Sequence, residues 1–150
     1  MVHLVYCDDK EKVLEKILDG SKTMIIRAAA ARKIPHSRVH EGERLYFMKK
    51  GTAKISATAT VKSVQNYTKL SEEERQRILS DNQGKLNLSK SQRERWNKKC
   101  MCLVEFENMN QINPLDFEHQ RNMDDWLILE KIEDVVIGSS KPYDYDNSRF

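Results

Sequence analysis

The side chains best equipped for chemistry are concentrated in one stretch, GSKTMIIRAAAARKIPHSRV, residues 20–39. Lys22 follows a predicted helix, where its ammonium can complement the negative helix end, a surface role worth ~0.3–1 kcal/mol. Once desolvated, the same amine can hold a phosphate or act as a base or nucleophile. Arg27 ends a predicted strand and offers either an ordinary ion pair or a planar fork for a phosphate or a base edge. Arg32, Lys33 and Arg38 cluster around Pro35, either as solvated loop charges or as a phosphate track. His36, between Pro35 and Ser37, is expected to be an exposed loop histidine within reach of a ligand. Tyr46, Phe47 and Tyr67 can stack on a base or fill a core, and Phe47 reads as core. The four alanines 28–31 suit either a helical turn or an extended wall of small residues, since short helices need tertiary support.

Charge along the chain supports an anionic partner. Residues 20–65 carry ten Lys or Arg against Glu41 and Glu43, a local charge of +8 within a chain of net +3, so the rest is acidic, at −5. A basic section on an acidic body creates a directional field. Lysines on a solvated strand face for solubility are the plainer source of such a patch. Several chemistries find no support. There is no phosphate loop, no dinucleotide fingerprint and no G-x-S-x-G elbow. Cys7, Cys100 and Cys102 read as reduced structural thiols, and His3, His36, His40 and His119 do not complete a zinc-ligand spacing, so no metal and no cofactor are expected. No apolar run is long enough to span a bilayer and the first residues meet acid early, so the expectation is a cytoplasmic protein without a membrane partner.

The elements that must position these residues are legible from periodicity. VHLVY reads as a strand, and KEKVLEKIL as a helix closed at Gly20, with Asp8 and Asp9 capping its start. TMIIR, RLYFMK and 53–67 read as strands, the last two joined by a Lys50-Gly51-Thr52 hairpin turn. The long strand alternates Ile55, Ala57, Ala59 and Val61 inward with Lys54, Ser56, Thr58, Thr60 and Lys62 outward. Ser71 with Glu74, and Ser89 with Gln92, have capping-box spacing and open two helices separated by a DNQG turn. CMCLVEFEN is the next strand, INPL (112–115) a proline-broken turn, and NMDDW an Asn122-capped helix start before a final apolar segment. The expectation is one α+β domain over 1–140, a small antiparallel barrel with flanking helices, followed by a disordered tail at 141–150.

These residues also carry a resemblance. KILDGSKTMIIR, then EGERLYFM, then ISATATVKSV, resemble the ASCH family of the PUA-like superfamily. That family's pattern is G-x-K-[TS] after a helix, a strand ending in arginine, a G-[DE] turn and a long strand of small and β-branched residues. Here these are Gly20, Lys22, Thr23, Arg27, Gly42, Glu43 and 53–65, with the likeness covering about 11–107 and an extension at 108–140. The resemblance implies a PUA-like antiparallel β-barrel with a cleft beside the first helix, and RNA or a modified nucleoside as ligand. Residue type and position make Lys22, Arg27, Arg32, Lys33, His36, Arg38 and Tyr46 the binding candidates for such a ligand. One bacterial branch hydrolyses acetylated cytidine with the motif lysine, a threonine three residues later and a glutamate from the helical insert. By that alternative, Lys22, Thr23 and Glu74 are the catalytic candidates. The position three after Lys22 is Ile25, which has no hydroxyl, and this ranks binding above catalysis. A protein partner is not specified by any motif.

Overall fold

In a computed structural model, residues 1–120, 124–144 and 146 are described. Among them six strands form one sheet in the order β2-β5-β4-β3-β1-β6: β1 Val2–Cys7, β2 Met24–Ala29, β3 Arg44–Lys49, β4 Lys54–Tyr67, β5 Cys100–Asp116 and β6 Trp126–Leu129. Every neighbouring pair is antiparallel except β1 and β3, which run parallel. The sheet curls into a half-barrel. Its helices are α1 Val13–Leu18, α2 Glu72–Asp81, α3 Gln83–Leu86 and α4 Lys90–Arg95, with a 3-10 turn at Ile132–Val135.

Strand alternation sorts the apolar side chains into three clusters. The concave face packs Val5, Ile25, Phe47, Ala57, Ala59, Val61, Val104 and Phe106 against Val13, Leu14 and Ile17 of α1. Outside β2 and β5, Met24, Ile26, Met101 and Leu103 meet Leu79, Leu86 and Leu88 of the helical insert. Outside β1 and β6, Leu4, Tyr6, Leu127 and Leu129 meet Ile132 and Val135. Strand β2 is therefore covered on both faces, which explains why TMII is a continuous apolar run. Fully burying a side chain such as Phe47 is worth about 1.5–3 kcal/mol.

Local signals placed most element ends. Gly20 has φ +82 and its N–H reaches the Ile17 carbonyl at 3.2 Å, closing α1. Ser71 and Glu74 form the complete reciprocal capping box of α2, and the Ser89 hydroxyl accepts from the Gln92 N–H of α4 at 3.1 Å. Ile55, Ala57, Ala59 and Val61 are all buried, as the alternation predicts.

Five local expectations are corrected. Residues 112–115 are not a turn: β5 runs through Pro114 to Asp116. The register with β4 shifts there, from Leu115 opposite Ile55 to Gln111 opposite Ala57, so Pro114 occupies an irregularity where no ladder N–H is required. DNQG is not only a turn, because Gln83–Leu86 forms the short α3, anchored by Leu86 in the third cluster. Asp8 and Asp9 do not cap α1. The Asp8 carboxylate instead accepts from the Lys10 N–H at 2.9 Å, and Lys12 holds the cap position with a left-handed backbone. Thr58 is buried rather than solvent-facing, at 7 % exposure, its hydroxyl donating to the Leu45 carbonyl at 2.8 Å. Trp126 opens strand β6 rather than a helix, because WLIL pairs with β1 and buries all four residues. The Asn122 cap lies outside the described residues. So do 145 and 147–150 of the expected tail, whereas the Tyr143 hydroxyl accepts from the Ile128 N–H at 3.1 Å. No helix among the described residues is long and apolar enough to cross a membrane.

Candidate functional site

The open alternatives at the alanines are settled by pairing: Ala28 and Ala29 continue β2 opposite Met101 and Cys100, so the chain there is extended. Beyond β2 it turns away through 30–37, with a cis Ile34–Pro35 bond. A cleft of ≈ 290 Å³ opens where that turn leaves the sheet. Ala28, Ala29 and Ala31 line it together with Trp96 and Trp126, and Arg27, Lys33, Ile34, His36, Arg95, Lys98, Cys100, Asp124 and Asp125 complete the lining. Small side chains matter here for the space they leave, and the volume sits near the lower end for small-molecule sites, about 300 Å³. Four basic side chains face two acidic ones, giving the cleft a positive balance.

Arg27 is the centre of the arrangement. It faces the concave side one alternation beyond Ile25 and lies between two indoles, its guanidinium carbon 5.4 Å from the Trp96 ring centroid and 5.7 Å from that of Trp126. Its Nη1 donates to the Ile26 carbonyl at 3.0 Å and its Nη2 to the Tyr6 carbonyl at 2.8 Å. Burial lowers its pKa while Asp125 opposes the fall, and a guanidinium remains protonated in such a setting. Asp125 is fixed by Lys50 at 3.0 Å and Arg95 at 3.3 Å. Asp124 is buried and lies 3.4 Å from the Lys33 ammonium. The cleft is thus a preorganised cation flanked by aromatic faces, with fixed carboxylates at one end.

Trp126 is held by a buried chain of polar groups. Its indole N–H donates to His3 Nδ1 at 3.0 Å, and His3 Nε2 donates to Glu43 Oε1, also at 3.0 Å. His3 is fully buried, and this pattern requires a neutral ring, because a proton on Nδ1 would face the indole N–H. Burial lowers its pKa accordingly, with Glu43 pulling the other way. Glu43, the acid of the G-[DE] turn, also accepts from the His40 N–H at 2.7 Å.

Of the sequence candidates, Arg27, Lys33 and His36 line this cleft. His36 is not an exposed loop residue: it is buried at 5 % exposure, with Nε2 3.1 Å from the Tyr67 carbonyl and Nδ1 2.8 Å from the Ser37 hydroxyl. Arg32 is exposed on the adjoining turn, and Arg38 lines a separate cavity of ≈ 610 Å³ with Glu43, Ile128, Asp134 and Tyr143. Tyr46 is half-buried and packs against the second cluster, away from the cleft lining.

Lys22, Thr23 and Glu74 do not line the cleft. Lys22 is 3 % exposed, its Nζ donating to the Leu86 carbonyl at 2.5 Å, and burial together with repulsion from Arg27 and Lys16 brings its pKa down to about 7. Thr23 has its backbone committed to Lys85 and Phe106. The Glu74 carboxylate accepts from the Ser71 N–H at 2.9 Å in the capping box. Cys7 and Cys102 are buried, and burial pushes each thiol up to about 12. Among the described residues no group of three or more His, Cys, Asp or Glu could hold a metal ion.

Sequence reasoning placed Trp126 only at a helix start and did not bring Trp96, Arg95, Lys98, Asp124 and Asp125 into the site. The charge count over 20–65 could not include them, because the helical insert and β6 bring them back only in three dimensions.

No family model matches the sequence, and no curated protein does. In structure the chain is similar to ASCH from Zymomonas mobilis, with a TM-score of 0.64 and 11 % identity over 87 % of this chain and 88 % of that one. Two point mutants of the same Zymomonas mobilis protein superpose equally, at a TM-score of 0.64 and 11 % identity, covering 91 % and 89 % of their chains. The likeness shows the fold: this chain is built as ASCH proteins are.

Proposed function

We propose that this chain, which carries the ASCH fold, binds a nucleoside, free or presented by an RNA strand, in the cleft around Arg27. The observation that carries the reading is the grouping of Arg27 with Trp96 and Trp126 in a cleft that three alanines also line. A nucleobase is flat, aromatic and rimmed by donors and acceptors, so it suits a cleft lined by two indoles, a fixed guanidinium and fixed carboxylates. Lys33, Arg95 and Lys98 at the rim suit flanking phosphates. The resemblance of the Gly20–Arg27 and Gly42–Glu43 motifs to ASCH proteins points the same way. Hydrolysis of an acylated nucleoside draws less support, since Lys22, Thr23 and Glu74 lie outside the cleft.

The test uses the chain's two tryptophans, both in the cleft wall. Ribonucleosides and short single-stranded RNA are titrated while intrinsic fluorescence is followed. Saturable quenching is expected, and Trp96→Ala should weaken binding by about 1–3 kcal/mol, or roughly 5- to 150-fold. RNA binding should also weaken with added salt, and nucleoside binding much less. No saturable change with any nucleoside or RNA, or quenching indifferent to Trp96→Ala, refutes the reading.

A further inference from the structure

Two buried groups of opposite hydrogen-bonding sense remain unsatisfied next to the cleft. Gln92, at the third position of α4, is 6 % exposed. Its backbone N–H is used by Ser89, but its side-chain Oε1 is buried with no hydrogen-bond partner. Arg27 commits Nη1 and Nη2 to carbonyls, whereas its Nε–H is buried and has none. Both residues line a small cavity of ≈ 30 Å³, and Arg27, Arg95, Trp96 and Asp125 are shared between its wall and that of the cleft. Native interiors rarely leave such groups unpaired, so two residues of one cavity lining that carry an orphaned donor and an orphaned acceptor mark a place for a third party.

We propose that this cavity is a hydroxyl subsite of the cleft, in which a ligand hydroxyl accepts from Arg27 Nε–H and donates to Gln92 Oε1. Only a group that both donates and accepts satisfies the pair. A phosphate or carboxylate would suit Arg27 but face the Gln92 oxygen and Asp125, and an ammonium would suit those oxygens but face Arg27. The volume agrees, having room for a single hydroxyl or water and none for a ring. In the free protein a water fills the role, and a ligand that reproduces both hydrogen bonds can displace it. The inference rests on the nucleoside reading: on such a ligand the group is a sugar hydroxyl, so the subsite makes the cleft selective for ribose over a deoxy sugar. Gln92 is then a specificity-determining residue.

Two measurements test this separately from the nucleoside reading. A high-resolution crystal structure without nucleoside should show one ordered water within hydrogen-bond distance of Arg27 Nε and Gln92 Oε1, and a dry cavity overturns the subsite. Each ribonucleoside is then titrated beside its 2′-deoxy and 3′-deoxy forms. One of the two deletions should weaken binding about tenfold. Gln92→Leu, checked for folding by circular dichroism and repeated as Gln92→Met, should bring the ribo-to-deoxy ratio to within about twofold. Equal affinity of ribo and deoxy forms for the wild type, or a ratio unchanged in both variants, overturns the subsite. Absence of all nucleoside binding refutes the nucleoside reading, and the ordered water alone then decides whether the donor–acceptor site exists.

Discussion

Removing the amine of Lys22 should change how stability depends on pH. The ammonium is buried at 3 % exposure beside the positive charges of Arg27 and Lys16, which brings its pKa from 10.5 to about 7. In the unfolded chain the amine keeps its proton up to pH 10.5, and in the folded chain it releases it near 7. Between those limits the unfolded state binds more protons, so stability rises with pH; below 7 the full cost of the buried charge is present. The interval is three and a half pH units at 1.36 kcal/mol each, about 5 kcal/mol in all. Lys22→Met keeps most of the stem's bulk and abolishes the titration. It also deprives the Leu86 carbonyl of its donor, a cost of about 1–3 kcal/mol that does not vary with pH. Urea unfolding of wild type and variant, followed by tryptophan fluorescence under reducing conditions at pH 7.5, 8.5 and 9.5, isolates the effect. Titration of Cys7 and Cys102 is common to both proteins and largely cancels. The wild type should gain about 2–3 kcal/mol on the variant across this range. A difference that stays flat, or that falls as pH rises, refutes the buried-amine reasoning.

Acid should loosen the Trp126 anchor: burial lowers the His3 pKa below 6.5, so below 6.5 the unfolded chain binds the extra proton and stability falls until the folded-state value is passed. His3→Asn should flatten that part of the stability–pH profile and alter Trp126 emission at neutral pH, and a profile identical to wild type would count against the His3–Trp126 bond as its source. Ser71→Ala removes the α2 cap and should lower stability by about 0.5–2 kcal/mol, read as a lower urea midpoint at unchanged slope; an unmoved midpoint would show that the capping box contributes nothing.

The sequence by itself determined what depends on neighbours along the chain. The alternation in 53–67 identified the faces of β4, Gly20 the end of α1, and Ser71 with Glu74 the start of α2, because backbone conformation and capping are local. The Gly20–Arg27 and Gly42–Glu43 motifs resembled the family whose fold the chain has, and Arg27 and Lys33 were named from residue type and position alone. What only the tertiary structure decided depends on residues far apart in sequence. The first two alanines are extended because β5 offers a partner for Ala28 and Ala29, overriding alanine's helical propensity. Lys22 lies away from the cleft because α3, delivered by the insert, places the Leu86 carbonyl at its amine. Trp96, Trp126 and Gln92 surround Arg27 because α4 and β6 converge there from positions 69, 99 and 65 residues further along the chain. A local pattern can fix a face or a cap, but the company a buried cation keeps is set by long-range packing.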